Sequence, residues 1–281
     1  MGERRSSGRN FTNAVSYLIL GLTALLMLGP FLWMLSTSLK TQADIFRYPP
    51  ELIPSPPHFE NYETILKGLS VPQFFFNSFK ISALATIGQL LSCSLAAYAF
   101  ARMRFRGKGI LYGVLLATMM IPAQVTMIPV FLIMKSLGWI DSHNALIVPA
   151  FLGGAFGTFL LRQFFEAIPR DLEDAARIDG CGRFRIYWQI ILPLAKPALA
   201  TLGLFTFMTY WNDLLGPVIY LSSVEKMTLT VGLASLQAGE MVARHDLLMA
   251  GSLLSIVPML VLFVLAQKWF VRGVVMTGIK G

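Results

Sequence analysis

Charge is scarce in this sequence. Only 14% of its 281 residues are Asp, Glu, Lys or Arg, against about 25% in a soluble domain. A solvated surface of that size cannot be made from so little charge, so one large or two medium soluble domains are excluded. Cysteine is nearly absent: Cys93 and Cys181 are the only two, which rules out a disulfide scaffold. The nucleotide motif G-x-x-x-x-G-K-[ST] is missing as well. Arg106-Gly107-Lys108-Gly109 lacks the preceding glycine and the hydroxyl residue, so no phosphate cradle of that kind is expected. His58, His143 and His245 are scattered, and H-E-x-x-H and C-x-x-C do not occur, so neither a metal site nor a resident cofactor is expected. No nucleophile stands in a triad context, and an enzyme is not expected. The inverted repeat common in secondary transporters is also missing.

What the chain has is apolar length. Hydrophobic residues make up 55%, and mean hydropathy is +0.63. A charge at the bilayer centre is costly, and a helix needs roughly 20 apolar residues to cross the hydrocarbon core. Six charge-poor intervals meet that length, and Asp213 is the only acid inside one. The expected fold is an all-α membrane protein with six transmembrane helices, at about 14–38, 79–102, 109–134, 144–162, 198–221 and 247–268. Strand alternation is absent, which argues against a β-barrel. The first span is too long for a signal-peptide core.

Lys and Arg set the orientation. Segments 1–10, 102–108, 162–196 and 268–281 hold 16 of the 23 basic residues. Both termini are therefore expected in the cytoplasm. The domain layout is a cytoplasmic N-terminus at 1–10, a permease-like membrane domain at 11–271 and a cytoplasmic tail at 272–281. The net charge of +8 marks this orientation, and no nucleic-acid partner is expected.

The longest cytoplasmic segment, 166–197, carries the most information. Pro169, followed by Asp171, Glu173 and Asp174, suits a helix start: proline fits the first turn, and acids favour the positive end of the dipole. Gly180 can take the left-handed conformation that ends a helix. A second helix is expected from about 182 to 192, stopped by Pro193. Phe184, Tyr187, Trp188 and Ile191 follow helical spacing and predict one apolar face. Ala175 and Ala176 are small enough to let another protein approach closely. An amphipathic loop on the membrane surface would read similarly. A DNA-binding helix–turn–helix fails, because both ends run into spans.

The run Asp174-Ala175-Ala176-Arg177-Ile178-Asp179-Gly180, with Ile190, Pro193 and Pro197 downstream, resembles the EAA signature of binding-protein-dependent ABC importer permeases. Asp174 stands where that family usually has Glu, and Cys181 where it usually has Ala. Gly157 to Phe165, Trp211-Asn212-Asp213 with Pro217, and the end from Phe270 are similar to the carbohydrate branch. The chain is identified as a member of that branch, as its smaller six-span, maltose-type permease in a prokaryotic plasma (inner) membrane.

The resemblance implies a heteromer. A second, related permease would complete the pathway, and two cytoplasmic ATPase subunits would bind ATP and Mg. An extracytoplasmic solute-binding protein would deliver a sugar, in all expectation an oligosaccharide. It implies that 166–197 is the ATPase-coupling segment. Glu173, Asp174 and Asp179 would make polar contacts, with Ala175 and Ala176 as the close-approach surface. Gly180 would form the turn and Pro193 the stop. Arg183 would pair with an ATPase acid or cap the first helix, and Phe184 and Trp188 would fill the apolar floor of the ATPase cleft. The tail Gly278-Ile279-Lys280-Gly281 would reach the ATPase dimer, and the outer loop at about 222–246 would face the binding protein. Tyr210, Trp211, Asn212 and Asp213 offer stacking and hydrogen-bonding groups for the pathway, with a structural partner role for Asp213 as the alternative. Cys93 reads as packing. Competing readings are a permease for glycerol phosphate or a polyol, and a self-contained secondary transporter.

Overall fold

The computed structural model describes residues 3–68, 70–238 and 244–277, with side chains placed for 13–67, 70–236 and 244–267. The tail at 278–281 lies outside the described residues. Every regular element among the described residues is a helix, so the all-α class holds. Contacts divide the chain into two units, Met1–Ser70 with Leu233–Ser255, and Val71–Gly232 with Ile256–Gly281.

Among the described residues, four helices are long and apolar enough to cross a membrane: Asn13–Ser38, Val71–Arg102, Asn144–Ala167 and His245–Gln267. The count rises to six if each of two bent pairs is one span. The third apolar stretch, expected as one helix at 109–134, divides into Lys108–Thr118 and Ala123–Ser136 with a 100° bend. Pro122 accounts for the break. It has no N–H to donate and sits extended at ψ 136 as the cap of the second segment. The fifth stretch is interrupted too: Lys196–Trp211 ends at Asn212, and a short helix Leu215–Tyr220 follows.

In the first unit, residues 13–33 of the leading helix are exposed all round. A helix that is apolar on every face needs lipid or another chain to cover it. Its C-terminal end is tied down by Asn61, whose side-chain amide donates to Ser38 O at 2.9 Å and Lys40 O at 2.8 Å. Two orphan carbonyls at a helix end are satisfied this way.

The second unit is built around Val71–Arg102. Its inward stripe is made of small residues: Ser78, Ser82, Ala85, Gly88, Cys93, Ser94, Ala97 and Ala101 are all buried. Lipid tails are as apolar as a leucine face, so close packing rather than the hydrophobic effect must hold membrane helices together. The stripe permits it. A Cβ on Gly88 would stand 2.5 Å from the Phe151 ring, and one on Gly157 would stand 2.8 Å from Cys93 Sγ. Cys93 Sγ also accepts from Gly154 N at 3.2 Å. Cys93 is therefore packing, at the seam where the second and fourth spans touch.

Candidate functional site

The segment between the fourth and fifth spans folds as its acids and glycines direct. Asp171–Ile178 is helical, with Asp171, Glu173 and Asp174 in its first turn. It closes on Gly180 at φ +79. Gly180 N donates to Arg177 O at 3.0 Å, and Cys181 N reaches back to Ala176 O at 2.9 Å. These two bonds satisfy the last carbonyls in the Schellman pattern that a left-handed glycine allows.

The second half departs from the expected single helix. Arg183–Ile186 is α-helical, Tyr187–Ile191 is a π-helical turn, and Leu192–Leu194 continues beyond it. The helix ends at Leu194, one residue beyond Pro193 and two beyond the expected end. Leu192 N reaches back five residues to Tyr187 O, which widens the turn. The chain then bends by 78° into Lys196–Trp211.

The π turn also splits the expected apolar face. Tyr187 and Ile191 are buried, whereas Phe184 is 70% and Trp188 57% exposed. The buried side locks onto the second span: Tyr187 OH and Ser94 Oγ are 2.7 Å apart, and Tyr98 OH donates to Arg183 O at 3.2 Å. Burial pushes the Tyr187 phenol above its ordinary value, so it stays neutral. Phe184, Trp188 and Ile178, the last 87% exposed, remain on the outside.

The charges sort in the same way. Glu173, expected to face a partner, points inward instead. It pairs with Arg102 Nε at 3.1 Å, and both side chains are 3% exposed. The pair is a charge contact without an aligned hydrogen bond along that line. Arg102 also donates to the carbonyls of Phe165 and Ile168, which joins the end of the second span to the end of the fourth. Asp174 stays at the surface, paired with Arg177 Nη1 at 2.9 Å. Asp179 is the exposed C-cap. Ala175 is exposed, while Ala176 belongs to the core. Arg183 is exposed and makes no ion pair among the described residues. A cleft of about 680 Å³ opens between the second span and this segment, and Arg104, Arg170 and Arg183 line it. Arg102 was legible only as a span boundary, because its partner lies far along the chain.

Of the four residues proposed for the pathway, Trp211 is closed off. It is buried, stacked on Phe207 at 5.7 Å and edge-on to Phe75 at 5.3 Å. Asp213 turns to its own backbone and accepts from Gly216 N at 3.2 Å. Asn212 donates to Met208 O at 2.9 Å. Tyr210 lines a groove.

One polar cluster carried no sequence motif. Asp141 has φ +56, and Asp is one of the few side chains that tolerate that region. Its carboxylate accepts from Ser222 N, Ser223 N, Ser223 Oγ and Lys226 Nζ at 2.5–3.0 Å. Lys226 and these donors hold its carboxyl far below the usual carboxylate range. His143 lies 2.8 Å from Lys226 O, and its own burial lowers its basicity. Gln73 and Asn77 reach the same loop through Glu225 O and Met227 O.

Together, the lipid-length helices and the folded segment at 171–194 define a polytopic membrane protein. Residues 88–276 match the family described as binding-protein-dependent transport system inner membrane component. The chain belongs to that family. It is 35% identical to the arabinooligosaccharides transport system permease protein AraQ of Bacillus subtilis over 92% of each chain. It is 35% identical to the galactooligosaccharides transport system permease protein GanQ of the same organism over 95% of each. Among solved structures it resembles a bacterial ABC transporter involved in import of the acidic polysaccharide alginate. The TM-score is 0.81 at 28% identity, covering 94% of this chain and 98% of that one.

Proposed function

We propose that this chain is the six-span permease subunit of an ATP-driven importer for a sugar, in the oligosaccharide class. It forms half of the pathway beside a second, related permease. Two cytoplasmic ATPase subunits supply the energy, and an extracytoplasmic binding protein delivers the sugar. Family membership supports the binding-protein dependence, and the names of AraQ and GanQ support the substrate class.

The observation that carries the coupling role is the two-sided segment at 171–194. One side is bonded to the second span through Glu173, Tyr187 and Ile186. The other leaves Ile178, Phe184 and Trp188 uncovered beside Asp174 and Asp179. An exposed apolar patch rimmed by charge is suited to a protein partner. In this reading Phe184 and Trp188 enter the ATPase cleft, Asp174 and Asp179 make polar contacts, and Ala175 allows close approach. Gly180 sets the turn. Arg183 is free to meet an ATPase acid, and Glu173 anchors the helix from within. The tail Gly278-Ile279-Lys280-Gly281 is proposed as a further ATPase contact. ATPase closure would then move the fourth and fifth spans and shift the balance of inward- and outward-facing states.

Reconstitution tests this. The chain with its second permease, ATPase and binding protein in liposomes should take up the sugar only when ATP is present. Full uptake with the ATPase withheld would make the chain a self-contained carrier and end the proposal.

A further inference from the structure

A second groove, of about 240 Å³, lies at a different depth from the cytoplasmic cleft. Gln89 of the second span, Phe156 of the fourth, and Thr206, Thr209 and Tyr210 of the fifth line it. Gln89 is 13 residues from Arg102, and Tyr210 is 14 from Lys196. At 1.5 Å per residue each lies about 20 Å from the cytoplasmic charges. That is well inside a hydrocarbon core about 30 Å thick.

At that depth an amide or a phenol needs a partner. The side chain of Gln89 makes no hydrogen bond among the described residues, and neither does the Tyr210 hydroxyl. Neither group is sealed in: both residues are half-buried and border the groove, with Gln89 Nε2 resting against Gly154 and one side of Tyr210 packed on an apolar cluster with Leu146. Thr206, Thr209 and Tyr210 follow one helical face, so the fifth span turns a polar stripe toward Gln89. Unpartnered polar groups at this depth are tolerated where they border a water-filled cavity or path.

We infer that this stripe is the wall along which the chain passes its substrate, and that the substrate it fits is a neutral sugar. The inference rests on the importer reading above and names the residues that carry it. The amide of Gln89 both donates and accepts, as does the Tyr210 hydroxyl. Together they match the mixed donors and acceptors of sugar hydroxyls. Phe156 and the Tyr210 ring offer apolar faces for the C–H side of a pyranose. No lining residue is charged, so a phosphate or carboxylate would find no counter-charge here. Trp211 and Asp213 are engaged elsewhere, so the stripe replaces them as the sugar-contacting part of the fifth span.

The test uses the complete importer in liposomes with its binding protein. Gln89→Ala and Tyr210→Phe should each lower the sugar moved per ATP hydrolysed about three- to tenfold, the effect of losing one hydrogen bond. Independently, the thiol of a Gln89→Cys variant should be modified by a membrane-impermeant methanethiosulfonate. Saturating transported sugar should slow that modification at least several-fold. Unchanged transport ratios, with a Gln89→Cys thiol that is unreactive or indifferent to sugar, would make the groove a packing seam against the second permease and overturn the inference. A wild-type complex that carries a phosphorylated solute and no neutral sugar would overturn it too. The importer reading fails separately, when the wild-type complex shows no ATP-dependent uptake of any solute.

Discussion

Two single residues hold backbone that few side chains accept. Gly180 turns the 171–194 segment at φ +79, where a Cβ costs about 1–2 kcal/mol and a β-branched residue more. Nothing lies within 4 Å of the added Cβ, so the penalty is conformational and not steric. Gly180→Val should therefore fold yet misplace Phe184 and Trp188, with a loss of ATPase co-purification and uptake. Gly180→Asn, a side chain that tolerates this region, should keep most of both. Equal behaviour of the two variants would remove the turn from the mechanism. Asp141 is the polar counterpart. Its carboxyl is held below its ordinary value by Lys226, Ser223 and the Ser222 and Ser223 amides. A depressed folded value means that its contribution is complete above the unfolded value of about 4, and is lost as pH falls below that. Between pH 5 and 8 the Asp141 contribution should therefore be constant, and any change in the knot comes from His143, whose burial-lowered basicity weakens the loop as pH falls below about 6.5. Asp141→Ala should loosen the loop at 221–228, read as faster amide exchange there, and Asp141→Asn should do so less.

At the scale of elements, the helix Asp171–Ile178 is anchored by a charge pair that the sequence did not announce. Glu173 and Arg102 are both 3% exposed. Removing Glu173 leaves Arg102 charged and buried, at a cost of roughly 3–5 kcal/mol, whereas removing Arg102 leaves Glu173 its second partner, Arg177 Nη2 at 3.4 Å. Arg102→Ala should lower the unfolding temperature in detergent clearly, and Arg102→Met with Glu173→Met should recover the part due to the unpaired charge, while the carbonyls of Phe165 and Ile168 stay without their donor. If the double variant is as unstable as the single, the pair is not the anchor. The same elements mark what was legible. The first helix could be read from Pro169, its acids and Gly180, because caps and turns are local chemistry. The fate of Glu173 could not, because its partner is set by helix packing across 71 residues of chain. The apolar spacing of Phe184, Tyr187, Trp188 and Ile191 assumed a regular period. The π turn at Tyr187–Ile191 changes that period and sends two of the four outward. Proline marked a break at Pro122, and at Pro193 it marked one to within a residue or two, since the helix ends at Leu194 and the chain bends by 78°.

For the whole molecule, composition fixes class more firmly than geometry. Low charge and six apolar stretches call for a membrane protein, yet the helices themselves bend, and 109–134 is two rods rather than one. A bent stretch can enter and leave the same face instead of crossing, so the count of spans and the orientation are linked. If all six stretches cross, residues 102–108 and 162–196 share the cytoplasmic side with both termini, as their share of the basic residues favours. If 109–134 re-enters without crossing, 137–143 lies on the same side as 102–108, and every later segment is inverted. The knot at Asp141 bonds the 141–143 loop to 222–226, so both lie on one face in either arrangement, and the basic share of 102–108 and 162–196 favours the outside for that face. Alkaline phosphatase, active only outside the cytoplasm, fused after Gly138 or after Ser222 should therefore be active. Fused after Arg106 it should be silent, while a fluorescent protein at the C-terminus should be bright. Activity after Arg106, or silence after both Gly138 and Ser222, would overturn the six-span arrangement. It would also move the 171–194 segment to the side where no ATPase can reach it.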